Sequence, residues 1–207
     1  MPLEKIETGN DRSWARWKIE EQEEELARLI EPVEIISNDI TNPLKRLEWM
    51  AGRAVVKLLI EQAGFAFQGV AKDQYGKPSP IGTKFHLALS HSYPYVAALL
   101  DKHKEAGIDL EQPKPKLLNI AARVLHKNEI VDAGDNLRKH CIYWCAKETL
   151  VKIHGKKDLI FAENLRIDPF KLAMEGSLIG RIIVDNLETA IPLAYMVEDN
   201  FVMVISS

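Results

Sequence analysis

Cysteine is almost absent from this 207-residue chain, which holds only Cys141 and Cys145. Two thiols four residues apart, with none of the companions a metal site needs, make neither a disulfide framework nor a zinc centre. They read as reduced thiols packed in the interior. An excess of either charge is missing too: 27 Lys and Arg face 30 Asp and Glu, a net charge of −3. No overall field favours nucleic acid or an anionic membrane, and neither is expected as a partner. No apolar run reaches membrane-spanning length, and "MPLEKIETGNDRSWARWKIEE" has no apolar core for a signal peptide. A cytoplasmic protein is the resulting expectation. Low-complexity segments and clear internal repeats are also lacking. What remains is an ordinary globular composition, 46% hydrophobic and 28% charged, enough for one large domain or two small ones.

Hydrophobic spacing then lays out the elements. "WARWKIEEQEEELARLI" predicts a helix entry with a solvated acidic face. In "NPLKRLEWMAGRAVVKLLIEQAG", Leu44, Leu47, Met50, Ala51, Ala54, Val55, Leu58 and Leu59 recur at helical spacing, with Pro43 in the first turn and Gly64 as the stop. "FQGVAKDQYGKPSPIGTK" predicts a loop. "FHLALSHS" and "YVAALLDK" predict two strands around a bend near Ser92 and Pro94, and "AGIDLE" predicts a further strand. After a proline break come two helical patterns, "KLLNIAARVLHKNEIVDA" and "NLRKHCIYWCAKETLVKIHG", the second ended by Gly155. "SLIGRIIV" and "IPLAYMVEDNFVMVISS" predict a strand and then a hairpin through Glu198-Asp199-Asn200. Each half thus holds a long helix and several strands, an α+β order dividing into residues 1–105 and 106–207.

Three groups of residues carry possible chemistry. Asp109 and Glu111, at i and i+2 of a strand, point to one face. Two carboxylates that close repel, and burying them unpaired costs several kcal/mol. Either an edge strand leaves both in water, or a hard cation such as Mg²⁺ lies between them. On the second helix Trp144, Glu148 and Lys152 fall at i, i+4 and i+8 on one stripe, with Lys147 beside it. That stripe is either a surface Glu-Lys pair with a core Trp, or a third oxygen ligand with lysines facing a phosphate. The third group is Lys77 in a glycine-bounded loop and the Ser90-His91 pair at a strand end, able to hold phosphate through charge-assisted hydrogen bonds. Adjacent strand residues face opposite ways, so Ser90 and His91 are not a nucleophile and its base. Arg46 and Arg53 share one face of the first long helix.

The ordered set Gly76-Lys77-Pro78, Ser90-His91-Ser92, Gly107-Ile108-Asp109-Leu110-Glu111 and Trp144, Lys147, Glu148, Lys152 resembles the 4′-phosphopantetheinyl transferase superfamily, in its larger surfactin-activating (Sfp) type. "VLHKNEI" resembles a further motif of that family ending in Glu129, with Leu125-His126 where Phe-Ser is usual. The resemblance runs from about residue 44 to 165, and residues 1–40 match loosely.

The resemblance implies transfer of 4′-phosphopantetheine, dependent on Mg²⁺ or alternatively Mn²⁺, from coenzyme A to a serine of an apo acyl or peptidyl carrier protein, releasing adenosine 3′,5′-bisphosphate. It implies Asp109, Glu111 and Glu148 as metal ligands, and Asp109, Glu148 and Lys152 as catalytic residues. Coenzyme A would be held by Lys77, Ser90, His91, Lys147, Lys152 and one of Arg46 or Arg53. The implied fold is two similar α+β halves about a pseudo-twofold axis with coenzyme A between them, working as a monomer. "QPKPKLLNIAARVLHK", with Lys114, Lys116, Arg123 and Lys127 among apolar residues, is the expected docking segment for an acidic carrier. The alternatives are a non-catalytic relative that binds coenzyme A or a carrier, and a metal-dependent phosphohydrolase.

Overall fold

The computed structural model describes residues 3–198 and 200–207. They fall into two units, Met1–Ala106 and Gly107–Ser207. Both combine antiparallel sheet with helix, an α+β architecture.

In the first unit, strands β1 (Leu3–Thr8), β2 (Arg12–Lys18), β5 (His86–Ser92) and β6 (Tyr95–Asp101) form an antiparallel sheet in the order β1-β2-β6-β5. A short ribbon of β3 (Val70–Lys72) and β4 (Pro78–Pro80) occupies part of the predicted loop. Helix α2 (Pro43–Gln62) starts as its sequence dictates. Asn42 caps it by accepting the Lys45 N–H at 3.2 Å, and Pro43 sits where a missing N–H costs nothing. Its Val55, Val56, Leu59 and Ile60 pack with Ala15, Leu87, Ala98 and Leu100 of the sheet.

The helix expected from Trp14 onward is corrected here. Residues 12–18 are a strand hydrogen-bonded on both sides, and helix α1 covers only Glu23–Ile30. Trp14 and Trp17 suit a pleated surface. Helical order begins only where Gln22 and Glu25 close a capping box.

The second unit contains a five-stranded antiparallel sheet ordered β7 (Ile108–Glu111), β11 (Val202–Ser206), β10 (Leu187–Val197), β9 (Glu175–Val184) and β8 (Leu165–Ile167). Helix α5 (Leu137–His154) packs against it, capped by Asn136 and ended by Gly155 at φ +77°. The single helical pattern expected over residues 116–133 is two helices, α3 (Lys116–Val124) and α4 (Lys127–Ala133). Leu125 and His126 are extended between them, and Glu129 closes a capping box on His126. A four-residue helix, α6 (Phe161–Asn164), precedes β8.

Strand β10 begins earlier than expected, because Asp185 and Asn186, both at positive φ, make a tight turn from β9. Strands β10 and β11 pair as expected, while Asp199 of the anticipated turn lies outside the described residues. Among the described residues no helix is long and apolar enough to cross a membrane.

Candidate active site

The second unit turns both strand carboxylates toward α5. Strand β7 is at the sheet edge, yet Asp109 is only 5% exposed. The Lys152 ammonium donates to Asp109 Oδ1 at 2.8 Å and to the Ile108 carbonyl at 2.8 Å. One turn or more toward the other end of the helix, Trp144 Nε1 donates to Glu111 Oε1 at 3.4 Å. Glu148, between Trp144 and Lys152 on the same stripe, is half-buried. Burial first, and then the negative charge of Asp109, push its carboxyl up to about 7, against the pull of Lys152. Asp109, Glu111, Glu148 and Lys152 therefore form one electrostatic group.

Gly107 sets how closely the strand and helix approach. A Cβ there would stand 2.7 Å from the Thr149 carbonyl oxygen and 2.7 Å from Ile153 Cγ1. The glycine of the Gly-Ile-Asp-Leu-Glu motif is thus a packing requirement. Thr149 returns its hydroxyl to the Cys145 carbonyl at 2.8 Å, so α5 turns no unsatisfied hydroxyl toward the sheet.

Lys147 is a correction. Expected to face a phosphate, it is fully buried and stands about 100° around the helix from Glu148. Its ammonium pairs with Glu129 at 2.7 Å and donates to the carbonyls of Val124 and Phe161, each at 3.0 Å. Glu129 also accepts the N–H groups of His126 at 2.7 Å and Ile167 at 2.8 Å. Adjacent helix residues diverge by about 100°. Glu148 and Lys147 therefore cannot serve the same side: one faces Asp109, the other closes the α3–α4 junction against α5 and β8.

The first unit holds the remaining predicted cations, each paired with a carboxylate. Arg46 grips Glu23 through Nε and Nη2 and donates to the Ile40 carbonyl. Arg53 is enclosed, its side chain 8% exposed, with Nε 3.2 Å from Glu34 and its guanidinium 4.6 Å from the centre of the Trp49 ring. Lys77 reaches Glu105 at 2.5 Å, and His91 Nδ1 lies 3.2 Å from Glu48. Ser90 is buried and His91 exposed, as alternation along β5 requires.

Residues 105–199 match the profile of the 4′-phosphopantetheinyl transferase superfamily. Through them, just under half of the chain is similar to that superfamily. Two Bacillus subtilis proteins are similar to it. One, called 4′-phosphopantetheinyl transferase ffp, is 33% identical over 121 residues, covering 54% of this chain and 49% of its own. The other, called 4′-phosphopantetheinyl transferase, is 30% identical over 122 residues, covering 56% and 50%. The chain spans about half the length of these curated relatives.

The donor chemistry of the group fits a hard divalent cation. All three acidic side chains offer oxygen, and burial has already made a second negative charge costly beside Asp109. Among the described residues no three His, Cys, Asp or Glu side chains are yet gathered as ligands. Lys152 supplies the positive charge at Asp109 instead.

Glu48 and Glu105 were not singled out from sequence. The only local signal was the i, i+3 spacing of Lys45 and Glu48, since the partners His91, Tyr93 and Lys77 are set by tertiary structure.

Proposed function

We propose that this protein transfers the 4′-phosphopantetheine group of coenzyme A to a serine of an apo carrier protein. The observation that carries this reading is the convergence of Asp109, Glu111, Glu148 and Lys152 within the residues that match the superfamily. The carrier's serine oxygen attacks the β-phosphorus of coenzyme A. An O–P bond to serine forms as the bond to adenosine 3′,5′-bisphosphate breaks, and the serine proton passes to Glu148 or to a water that it holds.

Asp109, Glu111 and Glu148 would hold Mg²⁺, or Mn²⁺. When bound, the ion neutralises charge building on the phosphoryl oxygens. Lys152, a quarter exposed, is placed to share its ammonium between Asp109 and a phosphate oxygen. The buried Lys147 has no part in substrate contact in this reading. Lys77, Ser90 and His91 bind the adenosine and phosphate end of coenzyme A. Arg46 is preferred over Arg53 as the further cation, because Arg53 is enclosed by Glu34 and Trp49. The protein acts as a single chain, and the carrier docks on the exposed cations Lys114, Lys116 and Arg123 around α3.

The test is intact-mass spectrometry of several apo carriers incubated with this protein, coenzyme A and Mg²⁺, beside Asp109→Ala and an EDTA control. A gain of one phosphopantetheine mass, absent from both controls, is the expected result. No gain on any carrier despite coenzyme A binding would leave a non-catalytic relative. Metal-dependent breakdown of coenzyme A without a carrier would identify a phosphohydrolase.

A further inference from the structure

Where α4 begins, β8 and β9 close around a cavity of about 210 Å³ within the second unit. None of Asp109, Glu111, Glu148 and Lys152 lines it. Both carboxylates on its wall are already engaged. Glu129 holds the Lys147 ammonium and the N–H groups of His126 and Ile167. Asp168 takes the Arg181 guanidinium on both oxygens, Nε at 2.9 Å and Nη2 at 2.8 Å. Arg166, also on the wall, has no carboxylate. Its Nη1 donates to the carbonyls of Ala162 at 2.5 Å and Leu165 at 3.0 Å, and Nε and Nη2 have no partner among the described residues. With the other charges cancelled in pairs, this wall keeps one positive charge.

That charge reaches His126, which also lines the cavity. Burial first, and then Arg166, hold the His126 imidazole below its usual range, while Glu129 pulls the other way. His126 Nδ1 accepts the Asn128 N–H at 3.4 Å, so the neutral ring carries its hydrogen on Nε2. The Glu129 N–H is taken as well, by the His126 carbonyl at 2.9 Å. The donors that remain are therefore side chains: the Nε–Nη2 edge of Arg166, His126 Nε2 and the unpartnered Asn128 carboxamide. The two oxygens of a carboxylate would satisfy the Arg166 edge alone. A tetrahedral oxyanion has further oxygens for His126 and Asn128.

We infer that this cavity binds a dianionic tetrahedral oxyanion of the phosphate type, held by Arg166 Nε and Nη2, His126 Nε2 and Asn128. The site is distinct from the Asp109–Glu148 group and does not depend on the transferase reading. Inorganic phosphate and a small phosphate monoester share the chemistry that it recognises.

The test is NMR titration of the full chain with sulfate, which stays dianionic at pH 6 and pH 8, against sodium chloride at matched ionic strength. Sulfate should move the Arg166 Nε–H and the His126 ring resonances along one saturable curve, and chloride should not. Arg166→Gln should weaken that binding by about tenfold or more, the range of a charge-assisted contact. Asn128→Ala, at an exposed position, should weaken it by roughly threefold. His126→Asn keeps a capping side chain at the start of α4 while removing Nε2.

A bound dianion favours the charged imidazole, so sulfate should bind more tightly at pH 6 than at pH 8. His126→Asn should abolish that difference. The charged groups around the ring are Arg166 on β8, Glu129 and Lys127 on α4 and Lys147 on α5, with Asp168 and Arg181 across the cavity; none is a second imidazole. Inorganic phosphate and glycerol 3-phosphate, titrated in the same way, separate the two sources. Tighter binding of the ester assigns the site to a phosphorylated metabolite, and equal or weaker binding assigns it to free phosphate. Shifts that chloride reproduces, shifts that bypass Arg166 and His126, or full affinity in Arg166→Gln would each overturn the inference. Should Arg166→Gln fail to fold, because Nη1 ties α6 to β8, His126→Asn and Asn128→Ala decide by the same readout.

Discussion

The fates of Lys147 and Glu148 differ although the two are neighbours in sequence. Glu148 belongs to a stripe whose partners, Asp109 and Glu111, are fixed by strand alternation, so its role is legible from spacing. Lys147 depends on Glu129, and nothing in the spacing of α5 announces that a carboxylate from α4 will arrive inside the core. Removing one partner of such a buried pair leaves the other charge uncompensated, a cost of about 3–5 kcal/mol. Lys147→Met should lower stability by that order in urea unfolding. Glu129→Gln combined with Lys147→Met should cost less than the two single changes added together. A phosphate-binding lysine would behave otherwise, losing turnover with an unchanged unfolding midpoint.

Glu48 supplies a second prediction at this scale. Its carboxyl lies near 4.5 when unfolded and at about 2 when folded. The contribution is therefore complete above pH 4.5 and lost as pH falls through 2, amounting to at most about 3 kcal/mol. Urea midpoints of the wild type at pH 5, 3 and 2 should fall more steeply than those of Glu48→Gln. Parallel slopes would refute it.

Elements were legible where a single period runs unbroken. Helix α2 announces itself through Asn42, Pro43 and an apolar stripe, and α5 through its stop at Gly155. Strands β5, β6 and β7 follow from alternation and composition. Two elements were misread because neighbouring signals merge. The tryptophans of β2 run directly into the acidic face of α1, and the apolar spacing of α3 continues through the extended Leu125-His126 into α4.

Between elements, the contact of β7 with α5 depends on one missing side chain. A methyl at Gly107 would overlap the Thr149 carbonyl oxygen, which belongs to the helix backbone and cannot rotate away. Overpacking of this kind costs about 1–3 kcal/mol. Gly107→Ala should lower stability by that amount and shift the Asp109 and Lys152 resonances together, because the strand must move relative to the helix. An unchanged Asp109–Lys152 contact in the variant's crystal structure would contradict that coupling.

At the scale of the whole molecule, the least legible feature is pairing order. Strand β7, the first of the second unit, pairs with β11, the last strand of the chain. Local patterning cannot announce a contact across some ninety residues, although it places the Asp109 edge. The division of charge was more accessible. A net charge of −3 would weakly repel the acidic carrier of the proposed reaction, so attraction there would have to come from a local field. Lys114, Lys116 and Arg123 are all exposed around α3, beside the exposed Leu118. Exposed charges steer encounter more than they hold a complex, and salt at about 0.15 M screens them beyond roughly 8 Å. Reversing Lys114, Lys116 and Arg123 to glutamate should therefore lower kcat/KM for the carrier by about tenfold at low salt, with kcat at saturating carrier little changed. The deficit should shrink as salt rises, because the wild type loses its steering while the variant has none to lose. A deficit that persists undiminished at high salt would mean that these side chains pack against the carrier rather than steer it. No deficit at low salt would place the docking surface elsewhere on the molecule.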